Sequence, residues 1–395
     1  MKKLSKSIIS VFIFSAISLF TSCNGVVFDT IREEVKLSDA QIQGTIHSLI
    51  RVTDSSDSKE YLYLSANPVV WKKDIDNAVK NGGTYVADET DPTDYTTSEH
   101  GHWSTTSRPG NNYVRLAANH NGEIYSLSSI VKEVTDDGEM EEISRELKYL
   151  DTSDKDALWQ TVTFDDESIT SEISLASSIF CTNTPKNKNR YAFVRIDGKI
   201  YKLEGGKATL IEESSEYNFT SGDNSTSIYS SARGVSTFDG STFYFTESAA
   251  ITSNESYNSN SGATMIYYAS STTVYYRAAG DSGWTAVSCD SSAIRSIAVT
   301  KDKLLLGTTS GLDNTALNGG KPTGSATTIS ANATSTLSSS YTVPILLTID
   351  PTKSDTATDI YAASNFEGNP SSTSATRKNA SLWSYYPVRS KWNRE

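Results

Sequence analysis

Two closely spaced histidines are the residues of this chain best suited to hold a transition metal. His100 and His102 flank one glycine in the segment Glu99-His100-Gly101-His102, and alternate residues of a β-strand point to the same side. The pair could supply two ligands to zinc, but protein zinc sites use three or four. The sequence offers no matching third ligand, so we predict no metal site and no cofactor.

Acidic side chains form a second candidate site. Asp88, Glu89, Asp91 and Asp94 crowd one segment, and carboxylate oxygens are the ligands that calcium prefers. The spacing is not that of a dedicated calcium loop, so we interpret the segment as a solvated acidic loop.

The turn Asp281-Ser282-Gly283-Trp284 is similar to the Asp-box of sialidases, but its tryptophan follows the glycine directly instead of after a gap. We interpret it as a turn that leads into a core tryptophan. Nucleophile-elbow, phosphate-binding glycine-loop and His-Glu-x-x-His patterns are also missing from the sequence. We therefore predict no catalytic residue, and whether the chain is an enzyme stays open, with a non-catalytic role favoured.

The one thiol with a specific sequence context is that of Cys23. Three lysines lie within residues 2–6, and an apolar run extends from Ile8 to Phe20. This run has the length of a signal peptide and is too short to span a bilayer stably. It ends in Leu19-Phe20-Thr21-Ser22-Cys23, where small residues lead directly to the cysteine.

That ending resembles the lipobox of bacterial lipoproteins, in the laxer form known from spirochaetes. The resemblance covers about the first 25 residues. It implies a signal peptide at 1–22, acylation (palmitate among the chains) at Cys23, and a tether at 23–40 before a domain at 41–395. Two or three acyl chains give stable anchoring, so the implied address is the bacterial cell envelope, either periplasmic or surface-exposed.

The charge of the chain restricts its partners. The formal net charge is −12 and the sequence pI is about 4.9. Removing residues 1–22 takes away three lysines and no acidic residue, so the mature chain is more acidic still. Binding to nucleic acid needs clustered Lys and Arg, and we therefore expect no nucleic-acid partner. Contact with the membrane is expected through the lipid on Cys23.

Beyond the tether, the sequence predicts an all-β fold. Short β-rich runs alternate with Gly, Asn, Asp and Ser, and turn-plus-aromatic-strand landmarks recur, as in Asn121-Gly122-Glu123-Ile124-Tyr125. Late tryptophans such as Trp103 and Trp159 mark the ends of units spaced roughly 50 to 75 residues apart, close to the repeats of propellers. We predict a β-propeller of about six four-stranded blades, with a pair of β-sandwiches as the alternative. The predicted blades are 41–108, 109–165, 166–216, 228–291, 292–338 and 339–395.

Several local expectations accompany this fold. Short helices are predicted as options at 32–42, 71–80 and 140–147. The segments 214–231, 252–263 and 313–340 are rich in Ser, Thr, Asn and Gly, and we interpret them as exposed insertions between strands. Cys181 and Cys289 are expected to lie as small buried residues in separate blades, although an exported protein permits a disulfide.

Three classes of function remain compatible with these patterns. The favoured one is a membrane-anchored envelope lipoprotein whose propeller is a non-catalytic binding or scaffold domain for a protein or glycan. The alternatives are a carbohydrate-active or other hydrolytic propeller, which would place two carboxylates in the central channel, and an envelope-assembly or structural factor. The sequence does not identify the partner.

Overall fold

The computed structural model shows a protein built from β-strands. The described residues form twenty-seven β-strands and contain no α-helix. The strands group into seven sheets that follow one another along the chain. The structure describes residues 42, 45–66, 69–75, 103–107, 109, 114–134, 139–154, 156–165, 169, 173–174, 176–183, 190–197, 199–210, 217–219, 235–238, 243–246, 265–278, 284–329, 337, 341–351, 353–365, 381–387 and 391–395.

The sheets are numbered in chain order. Sheet 1 contains β1 (Ile46–Thr53), β2 (Glu60–Ala66), β3 (Val69–Asp74) and β4 (Ser104–Thr106). Sheet 2 contains β5 (Val114–Ala118), β6 (Glu123–Val134), β7 (Glu139–Asp151) and β8 (Gln160–Thr161). Sheet 3 contains β9 (Thr163–Phe164), β10 (Ala176–Asn183), β11 (Arg190–Ile196), β12 (Lys199–Glu204) and β13 (Lys207–Leu210).

The second half of the chain continues the series. Sheet 4 contains β14 (Tyr217–Phe219), β15 (Val235–Phe238) and β16 (Phe243–Thr246). Sheet 5 contains β17 (Met265–Ser270), β18 (Thr273–Ala278) and β19 (Thr285–Ser288). Sheet 6 contains β20 (Ile294–Val299), β21 (Lys303–Thr308), β22 (Gly311–Asn318) and β23 (Lys321–Ile329). Sheet 7 contains β24 (Thr342–Thr348), β25 (Ile360–Asn365), β26 (Ser381–Tyr386) and β27 (Lys391–Arg394).

Most sheets are antiparallel meanders whose strands lie side by side in chain order. Sheets 3 and 4 each gain a parallel strand from the segment that precedes them: β9 pairs with β13, and β14 pairs with β16. In both sheets the added strand takes the edge opposite the innermost strand.

The seven sheets are arranged around a common centre. The innermost strands contact one another at successive seams, as β1 does with β5, β5 with β10, and β20 with β24. Strand β1 also contacts β24, so sheet 7 returns to sheet 1. A ring of mainly antiparallel sheets, each with one strand at the common centre, is a β-propeller. The prediction of an all-β propeller is confirmed.

The apolar core lies between neighbouring sheets. Ile297 belongs to the cluster shared by sheets 5 and 6, whereas Ala298 belongs to the one shared by sheets 6 and 7. Successive strand residues point to opposite faces, so sheet 6 is buried on both sides. Full burial of one aliphatic side chain stabilises a fold by about 1.5–3 kcal/mol. Further clusters join sheets 1 and 2, sheets 2 and 3, and sheets 7 and 1.

Most of the predicted units coincide with sheets, but the unit at 228–291 contains two. The sequence predicts four strands in this unit, at 232–238, 242–247, 274–277 and 283–288. The first two correspond to β15 and β16 of sheet 4, and the last two to β18 and β19 of sheet 5. The described residues therefore hold seven sheets where about six blades were predicted. Strand β17 was not predicted; its Met265, Tyr267 and Ala269 alternate into the core.

The prediction of optional helices at 71–80 and 140–147 was wrong for the residues that the structure describes. Residues 71–74 belong to β3, and 140–147 belong to β7. Strand β7 pairs with β6 along nearly its whole length, and this tertiary pairing overrides the helix propensity of its Glu and Lys residues. Of the option at 32–42, only Ile42 is described.

The interpretation of 313–340 as an insertion was also wrong over most of its length. The segment contains the larger part of β22 and all of β23. Gly319 and Gly320 have φ of +57° and +81°, which suits the tight hairpin turn between these strands. Threonines that suggested a solvated loop are β-branched residues that favour strands. The other two such segments lie outside the described residues except for β14.

Candidate functional site at the centre of the ring

The residues singled out from the sequence fall largely outside the described part of the chain. Cys23, His100, His102 and the acidic segment 88–94 are not described, and neither is the turn 281–283. Among the residues that the structure does describe, no group of three or more His, Cys, Asp and Glu is placed to hold a metal ion.

The two cysteines of the ring lie in separate sheets, as expected. Cys181 is in β10 of sheet 3, half-buried, and Cys289 follows β19 of sheet 5, buried. They are not joined by a disulfide. Burial raises the pKa of the Cys289 thiol, which keeps this side chain as a small apolar residue at neutral pH.

A repeated irregularity marks the beginning of several innermost strands. The pairing register shifts between Ile46 and Ser48 in β1, and in the same way at the start of β10 and β20. Such β-bulges re-aim the side chain of the extra residue. The residues at the three bulges are His47, Ser177 and Arg295.

The serine that follows the bulge ties its strand to the next sheet. Ser48 Oγ accepts a hydrogen bond of 2.9 Å from the backbone N–H of Leu116 in β5. At the equivalent position in sheet 6, Ser296 Oγ donates to the backbone carbonyl of Val343 in β24 at 2.7 Å. These bonds fix the inner strands relative to one another, and with them the bulge residues.

The innermost strands differ in charge from the rest of the chain. As the structure bounds them, β1, β5, β10, β15, β17, β20 and β24 contain no Asp or Glu, although the whole chain has 47 acidic residues. Their ionisable basic residues are His47, Arg51, Arg115 and Arg295. Within their described bounds the inner strands therefore carry no negative side chain, and three of the seven (β1, β5 and β20) carry a basic one.

Three of these residues lie at the same end of the ring. His47, Arg115 and Arg295 each stand second in their strand, and the inner strands of these meanders all begin at one end. We call these three residues the basic mouth. Arg51 lies further along β1, where it pairs with Glu60 and donates to the carbonyl of Ile349 at 2.5 Å.

Burial and a neighbouring charge act together on His47. The pKa of its imidazole is lowered from 6.5 to about 4, chiefly by burial and further by the positive charge of Arg115. The ring is therefore neutral at pH 7 and has both a donor and an acceptor nitrogen. Because His47 is neutral, the permanent charge of the mouth comes from two guanidinium groups. That of Arg115 is exposed, and that of Arg295 is half-buried.

The basic mouth was not predicted from the sequence, although a sequence signal for it exists. Ile46-His47-Ser48 and Ile294-Arg295-Ser296 share the pattern isoleucine, basic residue, serine. Two three-residue matches in a long chain are weak on their own. The register of the sheets is what shows that they occupy equivalent positions.

The seam between sheets 7 and 1 contains a second polar cluster, which is structural. Lys73 Nζ contacts Glu395 Oε2 at 2.6 Å and Tyr386 Oη at 2.5 Å. Trp103 Nε1 donates to the same carboxylate at 2.8 Å. Asn365 of β25 also exchanges two hydrogen bonds with the backbone of Ile46.

Comparison with known proteins gives similarity in fold only. No protein-family model matches the chain, and no curated protein matches it. Among solved structures, YCF48 from Cyanidioschyzon merolae is 11% identical over 90% of this chain and 86% of its own, with a TM-score of 0.39. The structure of U3-55K is 9% identical over 91% of this chain and 82% of its own, with a TM-score of 0.34. The RRP9 WD40 repeats are 10% identical over 91% of this chain and 81% of their own, also with a TM-score of 0.34. The class of this protein, a β-propeller, is defined by its own sheet topology.

Proposed function

We propose that the chain is a bacterial cell-envelope lipoprotein whose propeller binds a partner at the end of the ring where the inner strands begin. The observation that carries the binding role is the charge of those strands, which hold His47, Arg115 and Arg295 but no acidic residue. Charged side chains held on a rigid scaffold are a common basis for recognition. The partner is a protein or glycan of the envelope.

The proposed anchor is the acylated thiol of Cys23. It is supported by the apolar run from Ile8 to Phe20 and the small residues directly before the cysteine. Two or more acyl chains would hold the domain stably on a membrane. Within the described part of the chain, no helix has the length and apolarity needed to cross a bilayer.

Metabolic labelling tests the anchor. Cells that express the full chain would be grown with a labelled fatty acid, and the protein would be captured and counted. We expect label in the parent protein and none in Cys23→Ser. Cys181→Ser is the matched control and should keep its label. Equal labelling of Cys23→Ser and the parent would contradict acylation at this residue.

Binding is tested with the full chain in its own envelope. A reversible cross-linker would be applied to cells, and adducts would be compared between the parent, Arg115→Glu and Lys207→Glu. Lys207 is an exposed residue of the outer strand β13, so its reversal is a matched charge control. We expect one adduct that Arg115→Glu loses and Lys207→Glu keeps. Adducts that are identical in all three would contradict binding at the mouth.

A further inference from the structure

We propose that Asn318 is a site of spontaneous covalent modification, at which the side-chain amide is converted to a carboxylate. Asn318 is the last residue of β22, and Gly319 follows it in the two-residue turn to β23. The dipeptide Asn-Gly occurs four times in the chain, beginning at Asn24, Asn81, Asn121 and Asn318. The structure describes the last two of these pairs, and it places them in turns that differ in packing.

The reaction needs only the Asn-Gly pair and water. The backbone nitrogen of Gly319, after its proton is lost to hydroxide, attacks the side-chain carbonyl carbon (Cγ) of Asn318. A new C–N bond forms and the bond to the amide nitrogen breaks, so that this nitrogen takes a proton from water and leaves as ammonia. Water then opens the resulting succinimide ring to aspartate or isoaspartate, with no gain or loss of electrons. Glycine favours the attack because it has no Cβ to shield its nitrogen.

The turn after Asn318 is open to this rearrangement. Asn318 and Gly319 are both exposed, and a Cβ built on Gly319 would meet no atom within 4 Å. Rotation of the Asn318 side chain toward the Gly319 nitrogen therefore displaces no packed atom.

The turn at Asn121 is closed to the same reaction. The backbone N–H of Asn121 donates to Asn119 Oδ1 at 3.1 Å, and its side-chain nitrogen (Nδ2) donates to Glu204 Oε1 at 3.3 Å. Gly122 is buried, and its carbonyl oxygen accepts a hydrogen bond of 2.7 Å from Thr152 Oγ1. A Cβ built on Gly122 would also stand 2.7 Å from Thr152 Oγ1. Reaction at this pair therefore requires local opening of the turn first.

Modification of Asn318 would alter the contact between sheets 5 and 6. Asn318 pairs with Lys321, so an aspartate at 318 would lie opposite a positive charge, which is a favourable cross-strand pair. Isoaspartate instead carries the main chain through its side chain and lengthens the turn by one atom. The next carbonyl in the turn, that of Gly320, accepts a hydrogen bond of 2.7 Å from Tyr267 Oη of sheet 5. The isoaspartate form would displace this acceptor and weaken the seam.

Peptide mapping by mass spectrometry tests the proposal on the full chain in detergent. The native protein would be incubated at mildly alkaline pH in water enriched in the heavy isotope of oxygen, because opening of the succinimide adds one oxygen atom from water. We expect labelled aspartate and isoaspartate at position 318. They should form about tenfold faster or more than at position 121, because opening of the closed turn costs free energy before the reaction.

A parallel incubation in concentrated urea is the control for sequence. Once the structure is lost, the pairs at 121 and 318 should be modified at similar rates. Asn318→Gln should stop labelling at 318 and leave the rate at 121 unchanged, because a glutamine would have to form a larger ring. Equal rates at 121 and 318 in the native protein would overturn the proposal. So would the lack of label at 318 in the native protein when the urea sample shows it.

Discussion

Lys73 Nζ lies 2.6 Å from Glu395 Oε2 across the seam at which sheet 7 meets sheet 1. The exposed fractions of the two side chains are only 3% and 9%. Tyr386 and Trp103 donate hydrogen bonds to the same carboxylate, so the pair is well satisfied. Residues that are 322 positions apart in sequence thus join the two ends of the ring.

Breaking this pair should destabilise the propeller strongly. Removal of one partner from a buried ion pair leaves an uncompensated charge and costs about 3–5 kcal/mol. We expect Glu395→Gln to lower the free energy of unfolding by that amount in urea titration. The control is Glu204→Gln, which removes one partner of the exposed pair Lys202–Glu204 and should cost less than about 1 kcal/mol. Similar losses in both variants would argue against a special role of the seam.

Deletion of 382–395 should prevent folding of the whole ring. It removes β27, nearly all of β26 and Glu395, and exposes the apolar cluster shared by sheets 1 and 7, to which Leu382 and Tyr386 belong. We expect an aggregating product or one without a cooperative thermal transition, measured by circular dichroism. A truncated protein that melts cooperatively near the parental temperature would contradict closure of the ring through sheet 7.

Gly307→Ala should be costly although its backbone is unstrained. The added Cβ would meet Ser296 Oγ and the Val343 carbonyl oxygen at 2.2 Å, and overpacking of this kind costs about 1–3 kcal/mol. Gly319→Ala is the comparison, since a Cβ there meets nothing within 4 Å and the only cost is its φ of +57°. Thermal melts should rank Gly307→Ala as the less stable of the two. The reverse order of stability would show that the inner strands shift at little cost to make room for the added methyl group.

The lowered pKa of His47 predicts a loss of stability in mild acid. Between pH 6.5 and about 4, the imidazole is protonated in the unfolded chain but neutral in the folded one. Folding is therefore disfavoured progressively as the pH falls through this window, by roughly 3 kcal/mol at most. Below about pH 4 this contribution becomes constant.

His47→Gln isolates that contribution from the carboxylates that also titrate in acid. The difference in unfolding free energy between the parent and His47→Gln should shift in favour of the variant as the pH is lowered from 7 to 4.5. Arg115→Gln should shrink the same pH dependence in part, because the guanidinium is one of the two causes of the shift. A parent and variant with parallel pH profiles would mean that His47 keeps an ordinary pKa.

Much of the fold follows from local sequence patterns. The hairpin turn at Asn121-Gly122 could be predicted because the backbone preferences of an Asn-Gly pair act over a few residues. The errors arose where local signals mislead. Residues 140–147 favour a helix until β6 pairs with them, and the Ser- and Asn-rich run before Met265 concealed the start of a sheet.

The candidate site could be predicted far less well than the fold. His47, Arg115 and Arg295 lie 68 or more positions apart in the sequence, and only the common position of the inner strands brings them to one end of the ring. The Lys73–Glu395 contact likewise forms only because sheet 7 packs against sheet 1. Neither follows from composition, periodicity or motif, because both depend on the order in which whole sheets pack.

Site-specific photocrosslinking tests the central claim, that a partner binds at the basic mouth, most directly. A photoreactive amino acid would replace Thr45, an exposed residue directly before β1, or Lys207 on the outer strand β13. Irradiation of cells should give an adduct from position 45 that disappears when Arg115→Glu is added, and no such adduct from position 207. Adducts from 207 alone, or an adduct from 45 that survives Arg115→Glu, would contradict it.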